Sequence, residues 1–480
     1  MKRDLAAPSC ALLLALGVAA CSPRNPVADV VDASDSASDS DAVMVLDVLE
    51  DVRDAGDTAT SPDGADASGD ARVYDPRCVT RRPTVGDGVG SGSDRCEGVT
   101  PPQSGMGATW CSLGTDVPGL RAPTGFCVRR YASVGLPRVM ALAPNGDLFI
   151  ASPSGTTAAG DSGGRGAIVV LHDDNRDGVA EQSTFAMGGL ETVHGLAFQQ
   201  GFLYFATQDS VQRTPYVVGQ RSEQAGRREF LAGGSMGDPL GAQLQRGGRW
   251  THGLAASVNN RVLVTRGEYS SCSVGPDGRA APGIGEIYEV APRALNRVMS
   301  GFRNPMYARC HFCKDLCMAA ELGEDQTTGA VESLVVIDRE RWMGYPCCYQ
   351  RGVGPQASTG LCECVDEPAA KINLGDTPFG FDWERGAWPA PFANGLFVAL
   401  HGSFYLANYQ GAGVVFLQTH PSTGVPLAGT PTRFLEGTTG QATPSLQRPS
   451  DVVFARDGRM FVSDDRGGAV YWVAPTTFRQ

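Results

Sequence analysis

Six positions that recur at equivalent places along the chain carry side chains able to bind a ligand or move a proton. They are Arg138, His194, His252, Asn304, Phe379 and Ser450. Guanidinium, imidazole and amide groups brought together suit an anionic, oxygen-rich ligand. Each of them taken singly could instead cap a strand end and satisfy a backbone carbonyl. A shared site therefore requires elements that bring six distant segments together.

The six positions belong to six copies of a repeat that has the pattern of a β-meander. In the clearest copy, residues 446–473, two period-two apolar runs flank Arg456-Asp457-Gly458 and a third follows Gly467-Gly468. The other copies begin at Leu136, Glu191, Trp250, Gly301 and Thr377. Strand repeats that each span about 50 to 75 residues are typical of propellers. The sequence thus predicts an all-β fold, a six-bladed β-propeller with four-stranded antiparallel blades, in which equivalent positions ring a central channel.

Several motifs resemble the glucose/sorbosone dehydrogenase family, whose members are six-bladed propellers that carry pyrroloquinoline quinone (PQQ) and oxidise aldoses in the periplasm. The resemblance covers about residues 129–475. It rests on Phe302-Arg303-Asn304-Pro305, Gly344-Tyr345-Pro346, the segment FVALHGS at 397–403, Arg448-Pro449 and the segment VSDD at 462–465.

The resemblance implies two cofactors, PQQ and calcium. PQQ bears three carboxylates and so needs cationic forks. Arg303 and Arg448 match family positions that contact PQQ, with Asn304 and Asp464 as polar partners. His401 lies in a further motif that matches the family. The family takes calcium ligands partly from backbone carbonyls of an acidic loop. Residues 321–325 resemble that loop, which makes Gly323 and Glu324 the expected metal-binding residues.

The catalytic base is where the chain departs from the family. Arg249 occupies the position of the family's catalytic histidine, and an arginine stays protonated at neutral pH. His252 follows three residues later, which on a strand is the opposite face. Three possibilities remain: a bulge brings His252 into place, His194 serves as the base, or the base is lost.

Two main functions are compatible with these residues. The first is PQQ-dependent oxidation of an aldose, or of a related sugar aldehyde or hemiacetal, by a lipid-anchored extracytoplasmic quinoprotein with an unidentified electron acceptor. The alternative is a non-catalytic propeller that binds a glycan, a metabolite or a protein partner at the cell envelope, since a fold does not fix a function. A hydrolase or lactonase is a third possibility.

The N-terminal region predicts a location outside the cytoplasm. Lys2-Arg3, an apolar run at 11–20 and then Cys21 are typical of a lipoprotein signal peptide covering residues 1–20. Cys21 would carry the lipid, and Ser22 is compatible with outer-membrane sorting, facing the periplasm or the cell surface. Residues 21–72 read as an acidic, disordered tether, because 29–70 hold thirteen acidic residues and one basic residue. That segment carries the whole net charge of −12, so no nucleic-acid partner is expected.

The fourteen cysteines predict disulfides in an oxidising compartment. Residues 73–127, with Cys78, Cys96, Cys111 and Cys127, read as a cysteine-rich cap before a propeller at 128–480. Seven more cysteines fall in 308–366, which reads as an insertion in the propeller. No ligand spacing typical of zinc accompanies them. The segment 172–178 resembles a calcium loop but lacks its bidentate glutamate, which favours a hairpin turn.

Overall fold

The computed structural model describes residues 109–478, except 115–116, 154–155, 158–159, 162–165, 236, 247, 270, 274–284, 325–326, 339–340, 404–410 and 438–445. The predicted signal peptide, Cys21, the acidic tether, Cys78 and Cys96 lie outside the described residues. Among the residues described, no helix combines the length and the apolar character needed to cross a membrane.

Short strands make up most of the described chain. In order they are β1 (Phe126–Ser133), β2 (Met140–Leu142), β3 (Leu148–Ser152), β4 (Thr156–Thr157), β5 (Gly160–Asp161), β6 (Ala167–His172), β7 (Glu181–Met187), β8 (Leu196–Gln199), β9 (Phe202–Thr207), β10 (Ser210–Pro215), β11 (Glu229–Gly233), β12 (Leu254–Ala256), β13 (Val262–Arg266), β14 (Glu286–Ala291), β15 (Ala294–Ser300), β16 (Asn304–Cys310), β17 (Cys317–Leu322), β18 (Glu332–Val336), β19 (Ala370–Ile372), β20 (Pro378–Trp383), β21 (Leu396–Leu400), β22 (Gly413–Leu417), β23 (Thr432–Leu435), β24 (Pro449–Phe454), β25 (Met460–Asp464) and β26 (Ala469–Pro475). Helical segments are α1 (Pro239–Gln245) and 3-10 turns at Trp110–Leu113, Ala357–Thr359 and Leu361–Cys364.

These strands form six four-stranded antiparallel sheets, which confirms the predicted propeller. The sheets, here called blades 1 to 6, are β2-β3-β6-β7, β8-β9-β10-β11, β12-β13-β14-β15, β16-β17-β18-β19, β20-β21-β22-β23 and β24-β25-β26-β1. The first strand of each repeat is the innermost strand of its blade. Each innermost strand contacts the next, from β2 through β8, β12, β16, β20 and β24 back to β2. The ring is therefore closed.

Burial on both faces explains the composition of the second strands. Every residue of β3, β13, β21 and β25 is buried, because adjacent blades cover both faces of these strands. The outermost strand β7 has exposed or half-buried residues along most of its length. Apolar side chains thus fill the spaces between blades and hold the innermost strands around the channel.

Blade 6 is completed by the N-terminal strand of the described chain. β1 pairs antiparallel with β26, with Cys127 opposite Ala474. A disulfide joins Cys127 to Cys111, and Trp110 packs against Trp472 with ring centroids 6.0 Å apart. The segment before residue 128, predicted as a separate cap, therefore supplies the first two residues of a blade strand.

The predicted insertion at 308–366 is too long. β17, β18 and most of β16 fall inside this range and belong to blade 4. The connection between β18 and β19, residues 337–369, is the part that departs from a simple meander. Disulfides Cys272–Cys347 and Cys348–Cys362 close it, while Cys310–Cys317 links two strands of the blade. These bonds confirm the disulfide prediction over the zinc alternative.

The segment 172–178 is a hairpin turn between β6 and β7, as predicted. The Asn175 side-chain oxygen accepts a hydrogen bond from the Asp177 backbone N–H at 2.9 Å, and Asp173 accepts one from Gly178 at 3.2 Å. These Asx contacts satisfy the backbone of the turn within the chain itself.

Candidate functional site at the centre of the propeller

The six recurrent positions converge where the innermost strands begin. Arg138, His194, His252, Asn304, Phe379 and Ser450 are all buried. Small residues allow this convergence: a Cβ added at Gly253 would lie 2.7 Å from the backbone nitrogen of Ala308 on the next innermost strand. The glycine after His252 therefore lets blades 3 and 4 approach closely.

A buried network of charged groups links blades 1, 5 and 6. Arg138 forms an ion pair with Asp465, Nε to Oδ2 at 2.8 Å. Asp465 also contacts His401 Nε2 at 3.1 Å, and Arg448 Nε donates to His401 Nδ1 at 3.0 Å. Because Nδ1 accepts from Arg448, the proton of a neutral His401 lies on Nε2 and faces Asp465. The network thus fixes one tautomer of His401.

The pKa values in this network follow from burial and charge. Burial and the Arg448 guanidinium lower the pKa of His401 to about 3. The pKa of Asp465 lies below its usual value, because the hydrogen bond from His401 and the charges of Arg138 and Arg448 outweigh its desolvation. His401 is therefore neutral and Asp465 ionised at physiological pH.

An aromatic cluster extends this network across the channel. The His401 ring stacks on Phe379, with centroids 3.9 Å apart and an interplanar angle of 12°. The Arg138 guanidinium carbon lies 5.7 Å from the Phe379 centroid and 5.4 Å from that of Trp250. Tyr307 packs against Phe379 at 5.3 Å. Aromatic faces and charged groups from several blades thus line one buried centre.

His194 lies in this cluster with no hydrogen bond to either ring nitrogen among the described residues. Its side chain is 0% exposed, and its ring contacts those of Tyr307 at 4.9 Å and Trp250 at 5.8 Å. Burial, followed by the charge of Arg138, holds the pKa of His194 well below its usual value. The Asp465 carboxylate and a backbone group of His252, which lies near the ring but outside hydrogen-bond geometry, oppose this shift without cancelling it. His194 is therefore a neutral imidazole that can accept a proton.

His252, the other predicted base, is held by the backbone. Its Nδ1 lies 2.7 Å from the Thr265 carbonyl oxygen, and its Nε2 lies 3.0 Å from that of Gln208. The ring thus sits in the seam between blades 2 and 3. No local bulge turns it toward the channel, and neither nitrogen is available to a substrate in this arrangement.

Arg249 lies beside the innermost end of blade 4. Its guanidinium carbon is 3.2 Å from the Tyr269 ring centroid, and its Nε donates to the Glu268 carbonyl at 3.4 Å. A Cβ added at Gly267 would lie within 3 Å of the Arg249 side chain, the Arg303 carbonyl and the Asn304 side chain. Arg249 therefore occupies the neighbourhood of the predicted cofactor-binding residues.

A cleft next to this centre lies between blade 4 and the connection 337–369. Its empty volume, including the part open to solvent, is about 450 Å³, and it is lined in part by Arg303, Glu321, Gly323, Glu324 and Tyr349. Arg303 Nε pairs with Glu324 at 3.0 Å. Burial raises the pKa of Glu321 to about 8, although one of its oxygens accepts the Arg303 backbone N–H. Its other oxygen, Oε2, has no hydrogen-bond partner in the described part of the chain.

The predicted metal ligands thus lie in this cleft, but Glu324 contacts Arg303. Across the described residues there is no cluster of three or more His, Cys, Asp or Glu side chains that could hold a metal. A cation at this point would rely on the unpartnered oxygen of Glu321 together with backbone carbonyls.

Two of the predicted cofactor contacts have local structural roles. Asp464 accepts hydrogen bonds from the backbone N–H groups of Gln447, Arg448 and Gly467, so it holds the turn around blade 6. Asn304 Oδ1 lies 3.5 Å from the Thr251 hydroxyl. The next carboxylate in the chain, Asp465, is the one that meets the channel residues.

Solved structures with this architecture were found by comparison. The calcium structure of the Trichoderma reesei Carbohydrate-Active Enzymes family AA12 protein aligns with a TM-score of 0.56 and 16% identity over 75% of this chain and 98% of that one. The holo pyranose dehydrogenase PQQ domain from Coprinopsis cinerea gives 0.55 and 17% over the same shares. The chain has their fold. No family model matches it, and no curated protein sequence matches it significantly.

This shared fold supports the resemblance on which the site prediction was based, while the residues of the site differ in part from that prediction. Trp250, Tyr307, Asp465 and Glu321 were not predicted as functional residues. Trp250 and Tyr307 lie within three residues of recurrent positions, which is a usable signal. For Asp465 and Glu321, the sequence alone does not distinguish a buried carboxylate from a solvated one.

Proposed function

We propose that the chain is a sugar oxidoreductase that uses PQQ and calcium to oxidise an aldose or a related sugar aldehyde or hemiacetal. One observation carries the proposal: His194 is a neutral, fully buried imidazole without a hydrogen bond, at the point where the blades converge. A proton acceptor of this kind is what removal of a sugar hydroxyl proton requires. The shared fold with a PQQ domain of pyranose dehydrogenase supports the choice of chemistry.

Buried cations are present for PQQ, whereas a calcium ion would rest on one unpartnered carboxylate oxygen together with backbone carbonyls. Arg303 and Arg448 are buried guanidiniums at the starts of the innermost strands of blades 4 and 6, and they would hold carboxylates of PQQ. The unpartnered Glu321 Oε2, next to Gly323 and Glu324 in the cleft, supplies oxygen donors for calcium. When bound, PQQ would supply a hydride acceptor and calcium would supply a Lewis acid beside it.

The remaining work falls to side chains of this chain. His194 takes the hydroxyl proton at a ring nitrogen and holds it. Trp250 and Phe379 offer aromatic faces on which a sugar ring can stack. Asp465, paired with Arg138, keeps that guanidinium beside the aromatic faces. Burial of the whole group excludes water from the transferred hydride.

The test is titration of the calcium-loaded protein with PQQ, followed by dye reduction with a panel of aldoses. We expect binding and turnover in the wild type. His194→Ala should lower kcat by about 100-fold or more while the PQQ affinity is unchanged. His252→Ala is the matched control, since it should lower the melting temperature by exposing two buried carbonyls yet retain kcat. Failure of the wild type to bind PQQ, or full turnover by His194→Ala, would refute the proposal.

A second function, a non-catalytic propeller that binds a sugar-like ligand, is favoured by one observation. Arg249 stands at the position of the family's catalytic histidine and packs on Tyr269, and an arginine cannot accept a proton. In that case the same titration would show sugar binding without dye reduction in the presence of PQQ.

We also propose that the protein acts outside the cytoplasm, attached to the outer membrane through a lipid on Cys21. The four disulfides support an oxidising compartment. Labelling with a clickable palmitate analogue in a Gram-negative host tests the anchor: label should enter the wild-type chain and be absent from Cys21→Ala. Equal labelling of the two chains would overturn it.

A further inference from the structure

Three side chains from three successive blades present polar groups with no hydrogen-bond partner in the described structure. They are His194 with both ring nitrogens, Trp250 with Nε1 and Tyr307 with its hydroxyl. Their residues are 0%, 8% and 3% exposed, respectively, so bulk water does not satisfy them. Leaving a buried polar group unbonded costs about 1 to 3 kcal/mol. Three such groups in one place indicate that something binds them.

The three groups belong to one cluster. The His194 ring centroid is 4.9 Å from that of Tyr307 and 5.8 Å from that of Trp250. Arg138, from blade 1, places its guanidinium carbon 5.4 Å from the Trp250 centroid. Its charge lowers the pKa of His194 and opposes the rise that burial causes in the pKa of Tyr307.

The chemistry of these groups selects the ligand. Trp250 Nε1–H and the Arg138 guanidinium can only donate hydrogen bonds, and the Tyr307 hydroxyl and one His194 nitrogen can donate too. A cation would be repelled by Arg138. A water molecule would bring two hydrogens that need acceptors, and the nearby Asp465 carboxylate is already bonded to Arg138 and His401. A hydrogen-bond acceptor that carries no hydrogens of its own satisfies the largest number of these donor groups.

We propose that Arg138, His194, Trp250 and Tyr307 form a binding site for a small monovalent anion, the size of a halide, at the centre of the propeller. These residues are 0% to 8% exposed, so an ion bound there must lose its hydration shell, which favours a small monovalent anion over a more strongly hydrated, multiply charged one. The site lies outside the lining of the cleft of Arg303 and Glu324, but it shares Arg138, His194 and Trp250 with the proposed sugar-binding centre.

The anion should bind together with a proton. With an anion beside it, His194 has a hydrogen-bond acceptor for its second ring nitrogen and can be protonated. In the empty site the ring stays neutral. Three charged or titratable neighbours act on it: Arg138 and His252 oppose the proton and Asp465 favours it. Binding should therefore strengthen as the pH falls through the pKa that His194 has when the anion is bound.

Chloride NMR and bromide diffraction test the site directly, both on protein without PQQ. We expect saturable broadening of the ³⁵Cl line, stronger at pH 6 than at pH 8, and one anomalous bromide peak among the four side chains in crystals grown with sodium bromide. Tyr307→Phe removes one donor while keeping the ring, and it should weaken chloride binding by about 10-fold, a change of about 1.4 kcal/mol. Trp250→Phe should weaken binding in the same direction.

Tyr131→Phe is the matched control. Tyr131 is equally buried, 3% exposed, but it lies on the outermost strand of blade 6, so chloride binding should be unchanged. An ordered water with no anomalous signal at this point would overturn the proposal. So would chloride broadening that persists in both Tyr307→Phe and Trp250→Phe, because the anion would then bind elsewhere.

Discussion

Asp465 is the carboxylate on which the buried cations of the channel depend. It pairs with Arg138 at 2.8 Å and contacts His401 at 3.1 Å, and its side chain is 0% exposed. Removing one partner of a buried ion pair leaves an uncompensated charge, which costs about 3 to 5 kcal/mol. Asp465→Asn should therefore lower the free energy of unfolding by this amount, measured by denaturant titration.

Glu229→Gln is the control for this change. Glu229 pairs with Arg213 at the same 2.8 Å distance, but its side chain is 51% exposed, so the loss should be no more than about 1 kcal/mol. Equal effects of the two substitutions would show that the channel network contributes no more than a surface pair.

His311 gives the protein a measurable sensitivity to acid. Burial, with smaller effects from Lys314 and Arg385, lowers its pKa to about 3 in the folded state. An unfolded histidine titrates near 6.5, so between pH 6.5 and 3 the unfolded chain binds a proton that the native protein does not. The stability contributed by neutral His311 is complete above pH 6.5 and is lost progressively as the pH falls.

His311→Gln should therefore flatten this pH dependence. The fall in melting temperature between pH 7 and pH 4.5 should be smaller in the variant than in the wild type, even though loss of stacking on Phe312 lowers both values. Parallel curves for the two proteins would mean that His311 is protonated in the native state.

At the scale of single residues, the sequence predicted which side chains converge better than it predicted their roles. The recurrent positions were found because each lies at or just before the start of an innermost strand. The sequence assigned the role of catalytic base to His252 and of cofactor contact to Asp464. In the structure both side chains contact backbone groups of neighbouring strands and turns, which a sequence does not show. Trp250 and Tyr307 have the composition of ordinary core residues, so only their missing hydrogen bonds mark them.

The innermost strands are elements that tolerate little added volume. At Gly253 a new Cβ would lie 2.7 to 3.0 Å from three backbone atoms of blade 4, which cannot move independently of that blade. Overpacking of this kind costs about 1 to 3 kcal/mol. Gly253→Ala should lower the melting temperature accordingly in a thermal unfolding scan.

Gly429→Ala is the matched control, because no atom lies within 4 Å of a Cβ added there. The control should unfold within about one degree of the wild type. If Gly253→Ala were equally harmless, successive blades would have to be more loosely packed than the contacts between their innermost strands indicate.

The alternation of buried and exposed residues made the blades predictable, but not where each blade begins and ends along the chain. Period-two runs identified three strands in the repeat at 446–473, and all three are present. The role of β1 was missed because it is the fourth strand of a blade whose other three lie at the opposite end of the chain. Likewise, β17 and β18 were assigned to the predicted insertion because they lie in a disulfide-rich stretch.

Blade 6, which lies between blades 5 and 1 in the closed ring, depends on β1 for its fourth strand. A chain beginning at residue 109 should unfold cooperatively, since it retains β1 and the Cys111–Cys127 disulfide. A chain beginning at residue 134 lacks the strand that covers β26 and should aggregate, because β26 would become an exposed edge. Size-exclusion chromatography with thermal unfolding compares the two. A monomeric, cooperative product from the shorter chain would contradict this account.

The pairing of β1 with β26 also sets an order of events during biosynthesis. Cys127 leaves the ribosome 347 residues before Ala474, the residue it meets in the finished sheet. Until then β1 has no partner strand, and blade 6 cannot form however far the other five have progressed. The emerging chain must therefore be kept from pairing β1 with another chain for most of its synthesis. A holding chaperone would act on this protein mainly by protecting one eight-residue strand.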